Sequence, residues 1–334
     1  MKIIVLCPVK NEEWILEVFL KACSLFADHI IIADQNSTDR SRIIASSFDK
    51  VVLIQNKIHD FNEADRQILL IDKARELYGF GNLLIALDAD EIISANSLES
   101  KEWYLIRNSS PGTICYFDKP TPIFDKPLAI SYKDGFPLGY VDDGATHKPT
   151  LIHSSRLPSP PNAKIIKLKE IVFLHLTLVR KNVQFSKNRY YCVLENINNT
   201  KKLRHRWLMY RFYNANDYLK DNIIKINPDW YNYGGDLNIQ GTLNYPESRG
   251  CNYVDYQTLI LLNKYGYKRF FKDPIWKFDW EKCRLTGLNE NIPDLPTSPI
   301  TPPSKLIFHT TDSFFRILNY LTYKHRSLFS FFRK

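Results

Sequence analysis

The sequence predicts an α/β fold: a doubly wound mixed sheet flanked by helices, with a mainly helical C-terminal extension. Two observations predict it. Continuous apolar runs rich in β-branched residues stand at 3–7, 30–33, 51–54 and 83–87, the pattern of strands buried on both faces. Between them apolar residues recur at helical spacing, as in Trp14, Ile15, Val18, Phe19 and Ala22, and again in Ala64, Ile68, Leu69 and Ala74. Strands that alternate with helices imply parallel β-α-β units.

Taken in order, Asn11 can cap the first helix, an Asn-Ser-Thr-Asp start signal precedes a helix over 38–46, and a third helix spans 62–77. Residues 114–117 predict a further strand. The stretch 118–161, rich in Pro, Gly, Asp and Tyr, predicts long functional loops. A strand over 171–176 and helices over 183–197 and 203–226 follow, and the aromatic-rich 227–290 fits no clear pattern. The expected organisation is therefore a core domain over 1–200, an irregular helical extension over 201–291, a linker over 292–303 with five prolines, and a basic amphipathic tail over 304–334.

The 334 residues carry a formal charge of +9, of which the tail supplies +5. A mildly basic body suits a polyanionic ligand, and a basic, aromatic tail suits an anionic membrane surface. The basic residues form no stripe interleaved with aromatics, which argues against a nucleic-acid partner. Six cysteines, none in a CxxC pair, predict buried free thiols in a reducing compartment. No run approaches 18 apolar residues. The expected location is cytoplasmic, peripheral on the inner face of the cytoplasmic membrane.

The strongest chemical signal is the run Leu83-Leu-Ile-Ala-Leu-Asp88-Ala89-Asp90-Glu91. A buried strand delivers two carboxylates to the sheet's ligand edge. On an extended strand Asp88 and Asp90 face the same way. A hard divalent cation, Mn²⁺ or Mg²⁺, relieves their repulsion and can bridge the phosphates of a leaving nucleotide. The competing reading is a solvated acidic strand end. Three further clusters sit at strand ends or helix starts: Pro8, Val9, Lys10, Asn11, Glu12 and Glu13; Asp34 with Ser37, Thr38 and Asp39; and Arg66. Each can also be read as a helix cap or a surface ion pair.

Together these clusters resemble the family-2 glycosyltransferases, whose nucleotide-binding half has the GT-A fold. The resemblance covers residues 1–110 well and 111–200 loosely. It implies a metal-dependent, inverting transfer from a nucleotide-sugar donor to an acceptor hydroxyl; the basic, aromatic tail points to a glycan or lipid-linked glycan as acceptor, as in cell-envelope polysaccharide or lipopolysaccharide synthesis. It implies that Asp34 contacts the base, Glu12 the ribose or base, and Arg66 the base or phosphates. Pro8, Val9, Asn11 and Ala89 would complete the donor pocket. Asp88 would contact ribose and metal, and Asp90 would be the main metal ligand. The alternatives of another class are a sugar-phosphate nucleotidyltransferase, whose usual Gly-rich loop is missing from 7–13, and a nucleotide-sugar-binding protein without turnover.

An inverting enzyme needs a carboxylate base. Asp142 and Asp143, before Gly144, are the expected source, with a plain β-turn as the competing reading. Some GT-A enzymes add a late histidine to the metal shell, so the resemblance makes His175, at the end of an apolar run, the expected third metal ligand, against the reading of a core histidine. His147 and His153 are weaker alternatives. Lys187, Arg189 and Tyr190 could touch phosphate or acceptor, or form a solvated face.

Overall fold

The structure is a computed structural model that describes residues 1–57, 62–123, 126–150, 154–211, 223–234, 237, 239, 241 and 250–331. His153, expected as a weaker ligand, lies outside the described residues. The chain divides into two compact units. One comprises Met1–Val179 with Leu219–Tyr245, the other Arg180–Tyr218 with Pro246–Lys334.

The first unit is built from the alternation seen in the sequence. Strands β1 (Ile3–Val9), β2 (His29–Asp34), β3 (Val51–Gln55) and β4 (Leu83–Ala86) are joined by helices α1 (Glu13–Ser24), α2 (Ser41–Ser46) and α3 (Glu63–Tyr78). After them come β5 (Glu91–Ile93), α4 (Glu102–Arg107), β6 (Ile114–Asp118), β7 (Thr121–Pro122), β8 (Leu128–Ile130), β9 (Phe136–Val141) and β10 (Ile165–His175). Eight strands form one mixed sheet in the order β3-β2-β1-β4-β9-β6-β10-β5. β1 pairs in parallel with both β2 and β4, so the strand order reverses between β1 and β4. A small second sheet joins β7, β8 and β11 (Ile223–Lys225).

Alternation along β1 explains why its run is continuously apolar. Ile3, Val5 and Cys7 enter one core with Leu16, Phe19 and Leu20 of α1. Ile4 and Leu6 enter the opposite core with Leu70, Ile71 and Ala74 of α3. Asn62 caps α3, its side chain accepting from the Asp65 N–H at 3.2 Å.

Several expectations are corrected. The second helix begins at Ser41, not at 38, because residues 38–40 tie the loops together: Asn11 Oδ1 accepts from the Thr38 N–H at 2.8 Å and Asp39 accepts from the Glu13 N–H at 3.0 Å. Residues 118–161 are not loop throughout: within them β9 pairs antiparallel with β4 and β6 in the middle of the sheet, while 142–150 and 154–161 carry neither helix nor strand. Residues 223–225 form a strand, not the end of a helix.

The second unit is helical: α5 (Lys181–Ile197), α6 (Leu203–Tyr210), α7 (Tyr253–Tyr265), α8 (Trp280–Asn289) and α9 (Lys305–Phe331). Its core includes Cys192, Tyr210, Leu259, Phe270 and Trp280. Arg189 is committed inside this unit, donating to Asp255 at 2.7 and 3.0 Å and lying over the Phe278 ring at 3.8 Å. The proline-rich stretch 292–303 is packed down, not a free linker. Leu295 and Ile300 are buried, and Arg284 donates to the Thr297 carbonyl at 2.9 Å. Prolines fix its backbone and leave its carbonyls available to that guanidinium. Among the described residues no helix is long and apolar enough to cross a membrane.

Candidate functional site

The ends of β1, β2 and β4 lie side by side, because the parallel register pairs Val9 with Asp34 and Leu6 with Ala86. Asn11 and Asn36 adopt left-handed backbone, φ 56° and 51°, which asparagine tolerates better than most residues. Asp34 is 1% exposed and receives the Ser37 N–H at 3.2 Å; Ser37 Oγ in turn accepts from the Asn11 N–H at 2.9 Å. As placed, Asp34 holds these two loops together and presents almost no surface to a base. Glu12 accepts from the Trp14 indole at 2.6 Å.

Beyond β4 the backbone turns. Strand β4 ends at Ala86, and the Glu91 N–H donates to the Asp88 carbonyl at 2.9 Å. Asp88 and Asp90 therefore sit in a turn, where strand alternation no longer fixes their relative direction. Asp88 meets Arg156, and Asp90 lies beside His175, Oδ2 to Nε2 at 3.9 Å. Ala89 and Val9 are buried in the core.

Glu91 organises the centre. It is wholly buried at the start of β5, whose register sets it opposite His175 of β10. Its carboxylate accepts from Lys119 Nζ at 2.6 Å, from Arg156 at 2.5 and 3.0 Å, and from the Asp88 N–H at 3.1 Å. Burial opposes its ionisation, yet Arg156 and Lys119 together hold the carboxyl well below the usual carboxylate range. Burial, helped by Lys119, pushes His175 below the usual imidazole range, with Asp90 opposing. The ring is therefore neutral near pH 7, and Thr121 Oγ1 lies 3.5 Å from its Nδ1.

A small cleft, with room of about 20 Å³, lies at the point where the strand order reverses. It is lined by Pro8 from β1, Arg66 and Gln67 from α3, Asp88 after β4, and Arg156. Ligands of open α/β sheets bind at such a point. Arg156 and Lys119 were not singled out in the sequence. The signal available was charge balance: three acids within four positions at a buried strand end require counter-ions.

Asp142 and Asp143 are not brought to this cleft. Val141 pairs with Leu83, the first residue of β4, so both acids lie at the opposite edge of the sheet. Asp142 is fully buried and receives Arg75 at 2.7 and 3.0 Å and the Gly144 N–H at 3.1 Å. Asp143 accepts from the Tyr140 hydroxyl and from the Ala145 N–H at 2.9 Å. The expectation that they supply the base is withdrawn on this placement. His147 lies 3.0 Å from Gln67 Oε1.

Among the described residues no three His, Cys, Asp or Glu side chains form a ready cation cage. The donor set is smaller: Asp90 and the neutral His175, close enough to share one small cation. Manganese and magnesium sites commonly use one or two protein ligands and complete their shell with phosphate and water. Asp90 and His175 fit that description, whereas Asp88 is engaged by Arg156.

No family profile matches the chain, and no curated protein matches it in sequence. Among solved structures it is similar to glucosyl-3-phosphoglycerate synthase from Mycobacterium tuberculosis, in complex with Mn²⁺, uridine diphosphate and glucosyl-3-phosphoglycerate: 18% identity over 27% of this chain, TM-score 0.21. The chain spans about a third of that protein's length, 34%. It is also similar to 4-diphosphocytidyl-2C-methyl-D-erythritol synthase, with 14% identity over 42% of this chain and 72% of that one, TM-score 0.24. A third is HddC from Yersinia pseudotuberculosis, with 10% identity over 52% and 93%, TM-score 0.32.

Proposed function

We propose that this chain is a glycosyltransferase that takes its sugar from a nucleotide-sugar bound over the carboxyl ends of β1 and β4. The observation that supports this most is the cleft at the strand-order reversal. It sets the wall residue Pro8, the cation Arg66 and the acid Asp88 around one space, with Asp90 and His175 beyond the same strand end.

In this reading Pro8 and the aliphatic part of Gln67 flank the nucleoside, and Asp88 accepts from ribose hydroxyls. Arg66 offers its planar donors to the base or the phosphates. Asp90 and His175 would hold Mn²⁺ or Mg²⁺, which supplies charge neutralisation for the departing diphosphate. Burial keeps the His175 imidazole neutral, so its nitrogen lone pair is available at ordinary pH. Asp34 and Glu12 act through the loops, fixing the backbone that frames the nucleoside.

The acceptor is proposed to be a glycan on a membrane-bound lipid. Helix α9 leaves Leu306, Phe314 and Ile317 exposed, on a tail of charge +5, which suits an anionic leaflet. Cutting the chain after Pro303 should reduce sedimentation with anionic vesicles; unchanged sedimentation removes the membrane part alone.

The enzyme reading is tested by incubating the full chain with nucleotide-sugars and Mn²⁺. Release of a nucleoside diphosphate, with a rise in melting temperature on ligand binding, is the expected result. Release of pyrophosphate from a nucleoside triphosphate and a sugar phosphate would replace it with nucleotidyl transfer.

A further inference from the structure

We propose that Arg156 is a donor-binding residue: its guanidinium exchanges Asp88 for an oxygen of the nucleotide's diphosphate while Glu91 keeps it in place. The proposal rests on reading the β1–β4 cleft as the donor site, and it gives a role to a residue outside every motif in the sequence.

The two carboxylates that hold Arg156 are unlike. On one side stands Glu91, whose side chain is 0% exposed and which takes both Nη1 and Nη2, at 2.5 and 3.0 Å. The Ala86 carbonyl accepts a further bond from Nη1 at 3.2 Å. This is a two-pronged anchor in a desolvated place, costly to break. On the other side stands Asp88, with a side chain 38% exposed at the cleft and one contact, from Nη2 at 2.5 Å. This partly exposed, single-pronged contact is the more exchangeable of the two. Arg156 is therefore fixed at one edge and exchangeable at the other.

Charge points the same way. Glu91 already has a cation of its own in Lys119, at 2.6 Å. A second cation exceeds what bracing that one carboxylate requires. The edge of Arg156 that Glu91 does not hold faces Asp88 and the cleft, where Arg66 also stands. Arg66 and Arg156 both line this slot, which as it stands has room of only about 20 Å³ and must widen to admit a phosphate; each planar fork then matches a phosphate edge. When a phosphate oxygen takes the place of Asp88 Oδ2, no covalent bond changes and no charge is moved out of the site. The Asp88 carboxylate then turns to the nucleoside side of the cleft.

The test is calorimetric and is run in chelator, so no cation contributes. UDP, GDP, ADP and CDP are titrated into the full chain, and the tightest is compared with its parent nucleoside. Arg156→Gln should weaken the diphosphate by roughly tenfold or more, the worth of one bidentate charged contact, and change the nucleoside by less than about twofold. Arg156→Lys, a charge without the fork, should fall between. Asp88→Asn removes the competing anion, so the ratio of diphosphate to nucleoside affinity should rise, opposite to its fall in Arg156→Gln. That opposition is not expected of a mere brace.

Equal losses for diphosphate and nucleoside in Arg156→Gln, or none, would overturn the proposal. If Arg156→Gln fails to fold, the Lys and Asn variants carry the same comparison. A parent chain that binds none of the four diphosphates and no nucleoside would sink the donor-site reading itself, a result seen before any variant is made.

Discussion

Two acid–arginine pairs stand at opposite ends of β4, and they differ in what they leave undone. At the amino end Asp142 is wholly buried, and Arg75 clasps both its oxygens. The Gly144 N–H and the Ala145 carbonyl occupy further capacity of the pair. At the carboxyl end Asp88 is 38% exposed and receives one guanidinium contact. Residue types are identical, but the first pair is closed and the second is partly exposed. A satisfied buried pair specifies the fold, and a half-satisfied pair in a cleft is where binding energy can still be gained. Helix α3 serves both ends, placing Arg66 near its start at the cleft and Arg75 near its finish at Asp142.

The largest effect should come from breaking the closed pair. Asp142→Asn leaves Arg75 without a counter-charge and should cost about 3–5 kcal/mol of stability, read from the denaturant midpoint. Nucleotide affinity of the fraction that stays folded should not change; a selective loss of affinity would return Asp142 to the site. At the open end the outcome should invert. Asp90→Asn should lower turnover on the order of 10²–10³-fold, the scale of losing one group that stabilises developing charge, with little change in midpoint. Retained turnover would remove Asp90 from the mechanism.

The same two ends explain what could be read from sequence. Strands β1, β2 and β4 announce themselves because burial on both faces demands continuous apolar runs, and charges breaking such a run mark a ligand edge. Strand β9 hides behind its own packing. A Cβ at Gly139 would lie 2.9 Å from the Phe117 ring and 3.0 Å from Cys115 Cβ, so glycine is required there. Pro137 falls where the β6 register shifts between Cys115 and Tyr116. Glycine and proline in one short run are loop signals, so the strand is taken for loop. The misplacement of Asp142 and Asp143 follows, since the antiparallel course of β9 is what carries them to the far edge. Arg156 was illegible for a different reason: it sits between Ser154-Ser155 and Pro158 in an irregular segment, and only the buried charge of Glu91 calls for it.

A smaller effect separates the two ends of α3. Asn62→Ala removes the cap at the cleft end and should cost about 1 kcal/mol. Because Arg66 lies one turn away, nucleotide affinity should fall with it, while hydrogen exchange around Arg75 and Asp142 stays slow. Loosening at both ends together would mean that α3 responds as one rigid rod and that the two pairs are not independent.

The smallest effect belongs to a third pair, in the helical unit, which is neither closed nor a site. Arg284 donates to Glu281 at 2.6 and 3.0 Å, and Glu281 also accepts from the Ile300 N–H at 3.0 Å, with the acid side chain 38% exposed. The Arg284 hydrogen bonds, then the Ile300 N–H, push its carboxyl down to about 2 from an ordinary 4.5. A carboxyl lowered by folding adds stability that is complete above its unfolded value and vanishes as the folded form takes up its proton. Glu281→Gln should therefore cost under about 1 kcal/mol near pH 6, solvent screening the pair. The gap between parent and variant should close as pH falls from about 4.5 toward 2, where the parent's own carboxyl becomes neutral. A gap that persists at pH 2 would assign the contribution to the shape of the hydrogen bonds, and charge would then distinguish only the two pairs along β4.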